Sequence, residues 1–483
     1  MFSEDMEFGF YDQAERKACK AFELYEDGQM SQAVDALDTA IEINPANSAW
    51  HFDKALALDS IHRFEEAIAE YELALDLNPE DLEILNSVAV DYTRTGQYDR
   101  AIEIFEHIEQ LDSDFEPTYC NRIIAYTEMG LHDQAEEMFY LAQQVNPGCA
   151  LCYYNIGNSL YVRGLYKKAI GCWVKTAELE PTHPQINYRI AQAHWYVGDV
   201  PQAREHFLCE LRVNPGDVDV IFDFGLFLLE NNNIESAKEK FNRILELQPA
   251  FAPALFYLGE VAFNDGKYER AIDMYNAALR NEDTLAGPYY RLAQYAIMEN
   301  KLKKARTYLV SELRNCPDNA DLLLSIGTMF LKIGIASPPR NTRIGPAQQR
   351  IVPPGVGGCS DLDHAMHCFL RAIDLNNTNA DTYYYLGLAS SQRRGYEDAK
   401  EFFSHALDLQ SDHVGALRDS AAVYSEQGRF SEAIERLAKA KKHAPSDRRL
   451  DGLILKTRVQ QFMGMVTKAT QPLRCLIKRC KKR

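Results

Sequence analysis

Small, bulky and polar positions recur along this chain with a fixed period of 34 residues. Alanine stands at Ala33, Ala67, Ala101, Ala135, Ala169, Ala203, Ala237, Ala271 and Ala305, and again at Ala365, Ala399 and Ala433. The step is 34 throughout, except between Ala305 and Ala365, where 26 residues are added. With this alanine taken as place 20 of each repeat, place 24 is always large and apolar, as in Leu37, Tyr71, Phe105, Phe139 and Trp173. Place 8 is Gly or Ala in every repeat but one, which has Ile123. A turn residue, often Gly, stands at place 15, and place 32 is often Pro. Small residues at places 8 and 20 let two helices approach closely, and the large residue at place 24 fills the space they leave. Proline at place 32 removes a backbone donor and helps end the second helix. The pattern therefore predicts twelve helical hairpins over residues 14–447 and no strands.

The segment carrying Tyr153, Ile156, Gly157, Leu160, Gly164, Tyr166, Ala169, Trp173 and Pro181 resembles the tetratricopeptide repeat family. The resemblance runs through all twelve units. It implies an all-α fold, a right-handed α-solenoid (superhelix) of antiparallel helix pairs. It also implies a concave groove lined by places 2, 5, 6, 9, 12 and 13 of each first helix. Read onto this chain, those places concentrate aromatic side chains in the middle repeats. Tyr154, Tyr188, Phe222, Phe256 and Tyr290 stand at place 5, Tyr161, Trp195 and Phe263 at place 12, and Tyr196 at place 13. These nine are the candidate partner-binding residues, because aromatic anchors bury much area with few rotors. Place 5 aromatics have a second reading, in which they only pack between neighbouring first helices. Repeats one to three instead bring Glu15, Glu26, Asp53, Asp59 and Glu83 to the groove places, a face suited to a basic segment or simply to solvent.

Outside the repeats lie a lead-in at 1–13, an insertion at 335–360 within the tenth repeat, a helical segment at 448–470 and a basic tail at 471–483. The insertion is rich in proline and glycine, carries Arg340, Arg343 and Arg350, and has no acidic residue. Such a composition buries no core and predicts a disordered loop, either a tolerated surface insertion or a partner-binding segment. Leu455, Val459, Phe462, Met463 and Val466 are spaced for one face of a helix that caps the last repeat. The tail reads as a solvated terminus or as a weak contact with an anionic membrane.

The net charge is −18, divided into +9 over residues 446–483 and −27 over the rest. A body of that sign has no basic stripe and excludes nucleic acid as a partner of the repeats. No phosphate loop, HExxH or GxSxG motif occurs, and the segments outside the repeats are too short for a catalytic domain. The expectation is therefore a non-enzyme with no catalytic residues, no cofactor, no metal and no small-molecule substrate. It would be a cytoplasmic scaffold that binds an extended peptide or partner helix in its groove and organises a complex. Two alternatives are an accessory subunit that recognises substrates for an enzyme encoded elsewhere, and a membrane-associated scaffold held by its tail.

Eleven scattered cysteines suit a reducing compartment. Cys149 and Cys152 form a CxxC at the entry to repeat five. With no second CxxC to complete a four-cysteine zinc site, the pair is read as packing, with a redox or metal role as the alternative.

Overall fold

The computed structural model describes residues 4–315, 318–336 and 360–480, with side chains over those between 13 and 465. Most of the expected insertion, residues 337–359 with all three of its arginines, lies outside the described residues, as do residues 481–483 of the tail. Twenty-five helices and no strand are present among the described residues. None of these helices is long and apolar enough to cross a membrane. The chain divides into two compact units, Met1–Ala237 and Lys238–Arg483, with the division inside the helix Ile234–Leu247.

Within each unit the helices follow the 34-residue frame. First helices run from place 1 to place 13, as in Ser48–Ser60, Leu82–Arg94 and Ala380–Gln392. Second helices run from place 17 to place 30, as in Phe64–Leu77, Tyr166–Leu179 and Tyr396–Leu409. Between them the chain reverses through a left-handed residue at place 15. Seven repeats use Gly there, for example Gly164 at φ 73°, while His62, Asn232, Asn300 and Arg394 hold the same conformation without its freedom. The boundaries expected at 13 and 470 are not helix ends. The first helix begins at Glu4 and the last runs from Arg448 to Cys480.

The packing follows from the small and large places. All twelve place 20 alanines have no exposed surface. Eleven of the twelve place 24 side chains are buried, Trp173, Phe207 and Tyr275 among them. In the hairpins of Gly157, Gly259, Gly327 and Gly387 the place 24 ring presses on the small residue at place 8. A Cβ added to Gly157 would lie 2.5 Å from Trp173, and one added to Gly387 would lie 2.8 Å from Phe403. Repeat four shows the converse. Its place 8 is the fully buried Ile123, and its place 24 ring, Phe139, is only partly buried and sits edge-on to Tyr153 at 5.2 Å. The branched side chain fills the space that the ring occupies elsewhere.

Helix starts have identifiable caps. Asn47, Asp81, Asp217 and Asn379 each accept from two backbone N–H groups of the first helix that follows. Two first helices start late, at Ile186 and Pro288, and have no such cap. A buried glutamate at place 27 of the same hairpin takes over. Glu210 accepts from Tyr188 N at 3.3 Å, and Glu312 accepts from Tyr290 N at 2.9 Å and from Gly287 N. Burial raises both carboxyls above their ordinary range, and the backbone donors partly offset this.

Candidate protein-binding face

Six of the nine candidate aromatics belong to the first unit. Tyr161 lies between the buried Trp173, at 5.5 Å, and Tyr196, at 5.8 Å. Tyr196 stacks on Tyr166 with ring centres 5.0 Å apart and planes 12° from parallel. It is 63% exposed, while the other five are partly buried. Trp195 packs on Phe207 and Phe227. Tyr154 lies 4.4 Å from the His183 ring. Tyr188 reaches Phe207 at 6.3 Å. Phe222 is partly buried on the helix Val218–Glu230.

The other three lie in the second unit. Phe256 packs on Tyr257 and Tyr275, at 5.2 and 5.8 Å. Phe263 lies against Tyr268 at 5.1 Å. The Arg291 guanidinium sits over the rings of both Phe263 and Tyr290, at 5.5 and 5.9 Å, and is itself held by Glu260. Its positive charge is therefore neutralised beside the rings, and its pKa is raised further by that carboxylate against the opposing effect of burial.

The polar ends of several groove-place side chains are already engaged by the next repeat. Tyr188 Oη donates to Asp223 Oδ2 at 2.7 Å, and Tyr384 Oη donates to Asp419 Oδ2 at 2.9 Å. Asn121 Nδ2 donates to Asn86 Oδ1 at 2.9 Å, and Asn155 Nδ2 donates to the Cys120 carbonyl at 3.1 Å. All four pairs join place 5 of one repeat to place 6 of the next. Places 12 and 13 are joined in the same way, in Trp195 with Glu230, Asp59 with Arg94 and Tyr25 with Ser60. The sequence separation is 35 in every case. Burial and then the facing carboxylate raise the Tyr188 and Tyr384 hydroxyls above the usual phenol range, so both stay protonated donors.

The acidic face expected in repeats one to three is partly spent. Asp59 shares Arg94 with the buried Asp91. Burial, and then the charge of Asp59, push the Asp91 carboxyl up to about 7. Burial also raises Asp53. Tyr196 is thus the candidate that presents a ring to solvent, on a support of other rings.

A second constellation was not legible as one in the sequence. Cys120, which stands outside the CxxC, forms a disulfide with Cys152. Cys149 Sγ lies 3.4 Å from Cys120 Sγ. Folding the sequence on its 34-residue period would have brought Cys120 close to the CxxC, since place 5 of one first helix neighbours the start of the next.

Family models described as tetratricopeptide repeat match residues 222–285 and 392–456, and one described as the N-terminal repeat region of Psidin matches residues 15–148. Together they cover more than half of the chain. No curated protein sequence matches it. Among solved structures, the APC/C hetero-tetramer Cut9-Hcn1 is similar at 15% identity, covering 92% of this chain and 96% of that one with a TM-score of 0.40. Yeast Tom70 is similar at 14% identity, covering 98% and 99% with a TM-score of 0.38. PilF of Pseudomonas aeruginosa is similar at 19% identity, covering 44% and 96% with a TM-score of 0.36.

Proposed function

We propose that this chain, which belongs to the tetratricopeptide repeat family, is a non-enzymatic scaffold whose first-helix face binds an extended peptide or a partner helix and so organises a complex. Proteins of this family generally bind other proteins through their repeats. The observation that carries the reading here is Tyr196, a ring 63% exposed yet fixed by its stack on Tyr166 and its edge contact with Tyr161. A ring held in one orientation loses little entropy when a partner covers it, which is the property of a binding anchor. Tyr154, Tyr161, Tyr188, Trp195 and Phe222, in the same unit, would extend the contact as partly covered neighbours, and Phe256, Phe263 and Tyr290 would form a separate candidate contact in the other unit.

The hydrogen bonds of the candidate rings decide which variant tests this best. Trp195 and Tyr188 are tied to Glu230 and Asp223, so truncating them disturbs the array as well as any partner. Tyr196→Ala removes the exposed ring and its contacts with Tyr161, Tyr166 and Trp195, and leaves the Trp195–Glu230 and Tyr188–Asp223 bonds in place. Tyr140, also 63% exposed but on the second helix His132–Val145, supplies the control. In capture from a native lysate, Tyr196→Ala should weaken the principal partner at least about tenfold, while Tyr140→Ala should leave it in place. Equal retention by both variants, or equal loss, would move the contact away from this face. An enzyme as the dominant captured protein would make the chain that enzyme's accessory subunit.

A further inference from the structure

Repeats four and five meet through four donor side chains that neither the repeat pattern nor the binding face requires. Glu116 and Cys120 stand one helical turn apart on the first helix of repeat four, Glu116–Glu128. Cys149 caps the first helix of repeat five, its Sγ accepting from Cys152 N at 3.1 Å. Cys152 follows one turn into that helix. The three sulfurs and a Glu116 carboxylate oxygen all lie within 4.8 Å of one another. Cys120, Cys149 and Cys152 are 2%, 7% and 0% exposed.

We infer that, in the reduced protein, Glu116, Cys120, Cys149 and Cys152 form a closed zinc site that staples repeat four to repeat five. Four donors around one Zn2+ with Zn–S bonds of about 2.3 Å stand roughly 3.5–3.8 Å apart, so the observed cluster needs only small side-chain adjustments to close on a metal. Three thiolates and one carboxylate suit Zn2+ in a four-coordinate structural site and leave no open position for chemistry. The ligands come in two pairs, an i,i+4 pair on a helix and a CxxC at a helix start, and each pair is held by its own backbone. The carboxylate is also oriented. Asn146 Nδ2 donates to Glu116 Oε2 at 2.8 Å, and Asn146 Oδ1 accepts from Gly148 N at 3.0 Å. Such a partner fixes a metal-binding carboxylate. A disulfide uses two of the three sulfurs and accounts for neither the third nor the carboxylate.

The disulfide and the metal are alternative states of the same cluster. A dithiol reductant supplies two electrons and two protons to the Cys120–Cys152 bond, giving two thiols, and becomes a disulfide itself. Zn2+ then replaces one proton on each of the three thiols, and the Glu116 carboxylate completes the shell. Zinc binding therefore releases three protons and competes with reoxidation.

The test uses the full chain, reduced with a dithiol, freed of reductant without air and exposed to Zn2+ or Co2+ alone. Wild type should retain about one zinc per chain by mass spectrometric metal analysis. Its cobalt form should show the intense visible bands of tetrahedral Co2+ with sulfur-to-metal charge transfer. Cys149→Ser keeps both disulfide partners, so its folding under oxidising conditions is preserved. Its zinc affinity should nevertheless fall more than about 100-fold, and Asn146→Ala should lose about 10–100-fold. Cys209→Ser, outside the cluster, should bind as wild type. Reduced wild type that retains no stoichiometric zinc, an octahedral cobalt spectrum, or Cys149→Ser that binds as tightly as wild type would each overturn the assignment.

Discussion

Trp195 Nε1 donates a 2.7 Å hydrogen bond to Glu230 Oε2, thirty-five residues further along the chain and one repeat on. The Tyr188 hydroxyl does the same to Asp223 from the other end of the same first helix. The two bonds tie repeat six to repeat seven at both ends of their first helices. Because the carboxylate is charged, each is stronger than a neutral hydrogen bond. Tyr188→Phe should cost about 1–2 kcal/mol in urea unfolding. A double-mutant cycle with Asp223→Asn should show that most of this is shared between the two residues. Additive effects would mean that the bond contributes nothing across the repeat boundary.

The contact between Gly157 and Trp173 predicts opposite outcomes for two glycine-to-alanine changes fourteen residues apart. Gly157→Ala forces a Cβ to within 2.5 Å of the buried indole and should destabilise by about 1–3 kcal/mol. Gly171, in the second helix of the same hairpin, has nothing within 4 Å of an added Cβ. Gly171→Ala should stabilise by about 0.5–1 kcal/mol through helix propensity. Thermal denaturation of the two variants decides it, and a shift of the same sign in both would contradict the packing described.

Arg394 takes a left-handed conformation at φ 65° where seven repeats have glycine. Arg394→Gly should therefore raise stability by about 1 kcal/mol, and Gly164→Ala, at the same place of repeat five, should lower it by about 1–2 kcal/mol. Chemical denaturation midpoints check both. No gain for Arg394→Gly would show that the arginine side chain compensates for its backbone.

Asp91 gives the array a pH dependence. Its folded carboxyl is raised to about 7 by burial and by Asp59, while an unfolded aspartate ionises near 3.9. Between roughly pH 4 and 7 the folded state therefore binds more protons than the unfolded state, and stability falls as pH rises through that window. Asp91→Asn removes the titration. The variant should flatten the decline between pH 5 and 7.5 and exceed wild type at pH 8 by about 1 kcal/mol or more. Parallel stability profiles for the two proteins would place the titration elsewhere.

The hairpin frame was legible because it rests on size, and size repeats. Ala169, Gly157, Gly164 and Trp173 can each be assigned a role from their places alone, and even the exception at Ile123 foretells the displaced Phe139 ring. The groove aromatics were legible as residues but not as contacts. Nothing in a period of 34 says that Tyr188 will spend its hydroxyl on Asp223, since that bond depends on how far one first helix is shifted along the next. Glu210 and Glu312 were missed because a glutamate among small residues at place 27 looks like an exposed charge, whereas it replaces a cap that the late-starting helix lacks. Cys120 was not legible as a partner of the CxxC because the contact joins side chains about one repeat apart, 29 and 32 residues along the chain.

The hydrogen bonds at a separation of 35 bear on how such a chain can be recombined. A length of 34 residues is the apparent unit of duplication, and any cut in that frame preserves every hairpin. Repeat six carried alone to another array would bring its own Glu210 cap. It would leave Asp223 and Glu230 behind, so Tyr188 and Trp195 would face foreign side chains. The smallest cassette that carries Tyr188 and Trp195 with their partners is therefore repeats six and seven together. Exchange of repeats six and seven together should be tolerated better than exchange of repeat six alone.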